Sequence, residues 1–349
     1  MGKAYFIGID LHQSVIQACV LDDRGERVAE ERFRYHSLEE GLDAVAFVQG
    51  FGPACRISVE ALGFNRWFVN ACEAAGLEVL VCDPRKLDLK KLGKKTDRRD
   101  AREIARKLWL GDLDRTARTY YPSDEEYGRR KLLRVRHRLV QMRQQTINQL
   151  RAMLSAYQVP APRGVLYTRP SRECLAKVQL PVEELQEAYT ALLAVLERLQ
   201  EQIQRLTNQI RQLSKRDARV GALETTLPGI GAQSAATLIA ELGDATRFRN
   251  SRAVAAYAGL VPKVNQSADK AHHGRLTKQG NRELRWIVSQ WAVRLMKNDS
   301  AVNAWARNLR GRVHKNKARM ALARRLLVGV WVVLTRGEAF DLRRCLGQA

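Results

Sequence analysis

Apolar residues early in the chain come in short runs separated by polar turns. Residues 5–10 and 15–21 are two such runs, and Asp22-Asp23-Arg24-Gly25 links the second to residues 27–35, whose side chains alternate. Three adjacent strands joined by tight turns predict an antiparallel meander. A helix is expected next, from Ser37, an N-cap with Glu40 three residues on, to Val48. A strand at 56–60, a helix at 65–75, a strand at 77–82 and a helix at 96–110 follow. The order β-β-β-α-β-α-β-α implies a mixed sheet covered by helices.

The middle of the chain changes period. Leu132, Val135, Leu139, Met142, Ile147, Leu150 and Leu154 mark a helix over 124–154, and the Pro/Gly-rich stretch 160–170 ends it. A second helix carries Leu185, Tyr189, Leu192, Leu196, Leu199, Ile203, Leu206, Ile210 and Leu213. Steps of four and three alternate without a slip, the signature of a coiled-coil seam. The seam fits a hairpin between the two helices, a contact between protomers, or both. Further on, Leu227-Pro228-Gly229-Ile230-Gly231 precedes a small-residue helix at 232–242. That turn suits either a phosphate held at a helix start or plain close packing. A polar, basic, glycine-bearing stretch at 263–281 leads into helices at 282–296 and 317–334. The expected fold class is therefore α/β plus all-α. Residues 1–115 have the element order of ribonuclease-H-like folds, 116–215 form a helical coiled-coil region, and 216–349 form a mostly helical C-terminal domain.

Charge narrows the partner. Sixty Lys+Arg against 37 Asp+Glu leave a formal +23 over 349 residues. A surplus of that size repels itself unless a polyanion shares the surface, so nucleic acid is the expected partner. A membrane is not expected, because the apolar run 326–334 is far below the roughly 20 residues of a span. The opening residues lack a signal-peptide pattern. Six scattered cysteines without a C-x-x-C pair read as reduced thiols of a cytosolic protein.

Four acids carry the candidate chemistry. Asp10 ends the first strand and Glu60 ends the fourth, while Asp97 and Asp100 stand three apart on one face at a helix start. If the first and fourth strands are neighbours, these carboxylates gather and repel one another unless divalent cations neutralise them. Hard oxygen ligands suit Mg²⁺ or Mn²⁺. A pair of such ions serves phosphodiester displacement. Nine basic residues between Arg85 and Arg102 flank the proposed ligands and offer phosphate contacts.

A second reactive region ends at Ser267, with Lys263, Lys270, Arg275, Lys278, Arg282 and Arg285 nearby in sequence. A serine that attacks phosphorus stores the phosphodiester energy in a covalent intermediate, and cations stabilise the pentavalent charge. Tyr257, with His272, His273 and Arg275, is the rival nucleophile.

Several segments together resemble the IS-one-ten family of insertion-sequence transposases. They are Gly8-Ile9-Asp10, Glu60-Ala61-Leu62-Gly63, Lys95-Thr96-Asp97-Arg98-Arg99-Asp100-Ala101, Leu227-Pro228-Gly229-Ile230-Gly231, Tyr257-Ala258-Gly259-Leu260-Val261-Pro262 and Gly274-Arg275-Leu276-Thr277-Lys278-Gln279-Gly280-Asn281. The resemblance covers nearly the whole chain and implies an N-terminal domain like that of Holliday-junction resolvases. In it, Asp10, Glu60, Asp97 and Asp100 form a metal-binding quartet. It also implies a C-terminal transposase domain whose nucleophile falls on Ser267. Cytoplasmic bacterial multimers, dimers or tetramers, would act on donor and target DNA, guided by a structured bridge RNA. Two other classes compete: a junction-resolving nuclease that activates water, and a non-catalytic nucleic-acid scaffold.

Overall fold

The computed structural model describes residues 4–83, 86, 96–113, 118–162, 164–267, 270–277, 279–311 and 313–347. Side chains are described throughout these except at 263–267 and 270–275. The chain divides into two compact units, Met1–Tyr121 and Pro122–Ala349.

In the first unit the alternating runs become β1 (Phe6–Leu11), β2 (Val15–Leu21) and β3 (Arg27–Arg34). Helix α1 (Leu38–Gln49) starts as the sequence predicts, with the Ser37 hydroxyl accepting from the Glu40 amide at 3.2 Å. The Glu40 carboxylate reaches back to the His36 amide. Strand β4 (Arg56–Glu60), helix α2 (Arg66–Ala74), strand β5 (Glu78–Cys82) and helix α3 (Asp97–Trp109) complete the unit. Among the described residues the strands form one sheet of order β3-β2-β1-β4-β5. β1 is antiparallel to β2 and parallel to β4, and β4 is parallel to β5.

Alternation along β1 sends its side chains to two different layers. Ile7, Ile9 and Leu11 point into a core shared with Ala44, Val45 and Val48 of α1 and Phe68, Val69 and Cys72 of α2. The opposite face carries Gly8 and Asp10, and there α3 packs. Ala101 and Ala105 of α3 meet Cys19 and Leu21 of β2 in a small core edged by Phe6 and Trp109. Gly8 is a matter of space: a Cβ there would collide with the carbonyl of Ala101 and the amide nitrogen of Ala105. The glycine lets helix and strand backbones touch.

In the second unit, α4 (Asp124–Ala156) begins at a full capping box, Ser123 with Glu126. A short helix, α5 (Arg169–Leu175), intervenes before α6 (Glu183–Lys215). Arg136 bonds Thr207 and Arg143 bonds Gln200. Seven residues forward on one helix match seven back on the other, so α4 and α6 form an antiparallel hairpin. The seam residues Tyr189, Leu196, Leu199, Ile203, Leu206 and Ile210 are buried within this chain.

Helices α7 (Ala218–Thr226), α8 (Ala232–Leu242) and α9 (Ser251–Tyr257) follow. The basic stretch expected as a connector is instead a β-hairpin, β6 (Pro262–Ser267) and β7 (Lys270–Leu276). Helices α10 (Arg282–Asn298), α11 (Ser300–Arg310), α12 (Lys315–Arg336) and α13 (Leu342–Leu346) close the chain. Their core centres on Trp291, Val288, Leu322, Leu326 and Leu327. The Pro228-Gly229 turn packs on α10, its carbonyls accepting from Trp291 and Arg294. The α4–α6 hairpin joins this core through α8: Arg130 Nε donates to the Ala240 carbonyl, and Arg134 grips Glu241. Residues 122–215 thus pack with the C-terminal helices in one unit. Among the described residues, no helix is long and apolar enough to cross a membrane.

Candidate metal centre

Asp10 sits at the end of β1 on the α3 side and is only 5% exposed. Its neighbour across the parallel ladder, one step beyond the Ile9–Val59 pair, is Glu60, the last residue of β4. The Glu60 backbone is fixed by Asn65, whose side-chain amide donates to the Glu60 carbonyl at 2.8 Å. Thr96 caps α3 by accepting from the Arg99 amide, and Asp97 and Asp100 follow in the first turn. Asp97 is half exposed and Asp100 is buried. A second clamp holds this helix to the sheet: Glu30 on β3 takes a two-pronged bond from Arg102, with Arg98 at 3.0 Å.

Helix, strand and turn therefore converge. Asp10, Asp97 and His12 each offer a ligand atom, all within 4.8 Å of one another. His12 Nε2 lies 3.3 Å from Asp10 Oδ2 and 3.4 Å from Asp97 Oδ1. Asp100 stands close enough to act on Asp10 electrostatically. Burial pushes the Asp10 carboxyl above its usual range; His12 opposes this, while Asp97 and Asp100 add to it. Glu60 lies one strand away and outside the Asp10–His12–Asp97 cluster. Reasoning from sequence missed His12. The available signal was alternation, which puts residue 12 on the same side as residue 10. Of the flanking basic run, Arg85, Lys90, Lys91, Lys94 and Lys95 lie outside the described residues.

Ser267 is the last residue of β6 and pairs in register with Lys270. Its side chain and those of His272, His273 and Arg275 lie outside the described set, as do residues Ala268, Asp269 and Lys278. The base of the hairpin is firmly built. The Asn281 amide donates to the Tyr257 carbonyl at 2.7 Å, and Gly280 (φ 122°) fits where a Cβ would strike that carbonyl. Asn281 Nδ2 also donates to Glu241, which is fully buried and held on its other side by both prongs of Arg134. The Tyr257 hydroxyl donates to the Glu241 carbonyl, and its ring packs on Phe248 beneath Arg247. Beside the hairpin, Arg282, Arg285, Trp286, Lys317 and Arg324 line a groove of about 1720 Å³.

Comparison with known proteins gives two family matches. A transposase model of the four-acid IS110 type matches residues 7–159, and the model "Transposase IS116/IS110/IS902 family" matches residues 222–307. A probable family 20 transposase of Pseudomonas aeruginosa is 28% identical over 96% of this chain and 98% of its own. The transposase for insertion sequence element IS1328 of Yersinia enterocolitica is 26% identical over 98% of this chain and 100% of its own. A pilin gene-inverting protein of Moraxella bovis is 29% identical over 42% of this chain and 45% of its own. The two family matches, in chain order on either side of α6, with relatives spanning nearly every residue, settle the classification: the chain belongs to the IS110/IS116/IS902 family of transposases.

Proposed function

We propose that this transposase cleaves and rejoins DNA strands with a divalent-cation site built from Asp10, Glu60, Asp97 and Asp100 and with Ser267 as nucleophile. The observation that carries the reading is the convergence of Asp10 and Asp97, with Asp100 near enough to perturb Asp10, at the ends of β1 and α3. The sheet order, with β1 beside the parallel strand β4, supports a ribonuclease-H-like unit.

The residues fit a cation. Among the described residues, Asp10 Oδ2 is buried without a hydrogen bond of normal geometry, and the adjacent carboxylates raise the cost of its charge. Oxygen donors of this kind suit Mg²⁺ or Mn²⁺. A bound ion supplies Lewis-acid stabilisation of the phosphoryl charge. The chain's own groups do the rest. Arginines and lysines beside the β6–β7 hairpin hold the phosphate backbone. The Ser267 oxygen forms a bond to phosphorus, the bond to one deoxyribose oxygen breaks, and that oxygen leaves with a proton. Reversal by a second strand's hydroxyl restores a phosphodiester without ATP. Gene inversion, named for the Moraxella relative, conserves its DNA and so needs rejoining as well as cutting. The formal +23 supports a large polyanionic assembly. The bridge RNA, the homo-oligomer, and the cytoplasmic bacterial setting rest on the family resemblance.

The test is a nicked DNA substrate that traps a covalent adduct, mapped by peptide sequencing. An adduct at Ser267, absent in Ser267→Ala while nucleic-acid binding persists, supports the mechanism. An adduct at Tyr257 replaces it with a tyrosine mechanism. Metal-dependent cleavage with no adduct, undiminished in Ser267→Ala, assigns the chain to water-activating nucleases.

A further inference from the structure

We propose that His12 is itself a ligand of the cation site, and that its nitrogen makes the position held by Asp10, His12 and Asp97 prefer a divalent transition ion over Mg²⁺. This rests on the metal reading of the acidic cluster and specifies which ion it takes. The spacing is the first argument. Ligand atoms about 2.1 Å from one ion stand roughly 3.0 Å apart at octahedral angles and about 3.4 Å apart at tetrahedral ones. His12 Nε2 lies 3.3 Å from Asp10 Oδ2 and 3.4 Å from Asp97 Oδ1.

The second argument is what these atoms lack. Among the described residues, the atoms Asp10 Oδ2 and His12 Nε2 are both shielded from solvent and neither has a hydrogen bond of normal geometry. The Asp10 side chain is only 7% exposed. A single ring N–H serves one carboxylate at a time, whereas this nitrogen faces two at near-equal distance. Buried polar atoms without partners are costly, and a shared cation satisfies both at once.

Third, the backbone that carries the ring is held from behind. The Tyr35 hydroxyl donates to the His12 carbonyl at 2.5 Å, and the His12 amide donates to Val15 at 2.8 Å. Both contacts use the backbone, so the turn between β1 and β2 presents the imidazole whatever the side chain binds. The ion preference follows from donor chemistry. Mg²⁺ demands oxygen and holds its waters, whereas imidazole is a borderline donor that suits transition ions.

The experiment titrates the full-length protein with MnCl₂ and records electron paramagnetic resonance, including the spin-echo modulation of a directly bound nitrogen. We expect that modulation in the wild type and its loss in His12→Gln, with Mn²⁺ bound at least about tenfold more weakly. Mg²⁺ affinity, read by competition, should change much less. An unchanged melting curve for His12→Gln separates ligand loss from misfolding; should Gln unfold the unit, His12→Asn takes its place. Nitrogen modulation that survives in His12→Gln, or equal losses for Mn²⁺ and Mg²⁺, would overturn the proposal. Mn²⁺ bound without nitrogen modulation, and lost in Asp10→Asn, also overturns it while leaving the acidic site standing. No Mn²⁺ binding at all defeats both readings.

Discussion

Replacing Gly8 by alanine probes the contact that assembles the acidic site. The added Cβ would meet the Ala101 carbonyl and the Ala105 amide nitrogen well inside contact distance, and the Ala105 Cα at 3.0 Å. All three are backbone atoms of α3, so no side chain can swing aside. Normal carbon–carbon contact is about 3.5–4.0 Å, so helix and strand must part by about 1 Å. Overpacking of this kind costs about 1–3 kcal/mol, and a backbone clash belongs at the upper end. The same displacement moves Asp97 and Asp100, both on α3, away from Asp10 on β1. A shift of about 1 Å in a catalytic constellation costs on the order of a hundredfold in rate. Denaturant unfolding of the full chain reads the first effect and cleavage of end-labelled DNA reads the second. A Gly8→Ala protein with wild-type stability and a wild-type rate would show that the strand–helix contact does not set the site.

Asp10→Asn should raise the stability of the metal-free protein while removing divalent-cation binding. The folded-state pKa of Asp10 lies above its ordinary 3.8, so ionising it costs folding free energy. The advantage of Asn over Asp should be full above that raised value and vanish as pH falls toward 3.8; a melting difference independent of pH would contradict this. Glu241→Gln should destabilise the second unit by about 3 kcal/mol, because it breaks a buried ion pair whose arginine is itself partly exposed. Denaturation midpoints check it, and a change below the error of the fit would refute it. Leu196→Glu with Ile203→Glu should unfold the α4–α6 hairpin, since both side chains are buried inside one chain. Circular dichroism that stays native would place the seam elsewhere.

The first unit was largely legible because its elements satisfy local rules. Apolar alternation defines β1 and β2, and Ser37 with Glu40 and Thr96 before Asp97 are caps that function as their types suggest. The β6–β7 hairpin was not legible. Its residues, Pro-Lys-Val-Asn-Gln-Ser and Lys-Ala-His-His-Gly-Arg-Leu, show no apolar face, so nothing periodic announces strands. Helix α11 was hidden for another reason. Asp299 ends α10 and caps α11, so a change of direction takes place within a single residue. His12 and Glu241 lay beyond reach because their meaning is tertiary. One depends on α3 arriving from about 85 positions away, the other on an arginine 107 residues distant.

The leucine seam shows how an unambiguous periodicity still leaves its partner undecided. Alternating steps of four and three state only that a helix has one apolar stripe; they are silent on what covers it. The deciding evidence is polar. The Arg136–Thr207 and Arg143–Gln200 rungs advance by seven in opposite directions, which fixes an antiparallel partner inside the same chain. Most of the stripe is buried in the second unit, from Tyr189 to Ile210, while Leu185, Leu192 and Leu213 stay partly exposed. A line of polar contacts also runs from Arg134 on α4 through Glu241 on α8 to Asn281 at the base of the β6–β7 hairpin.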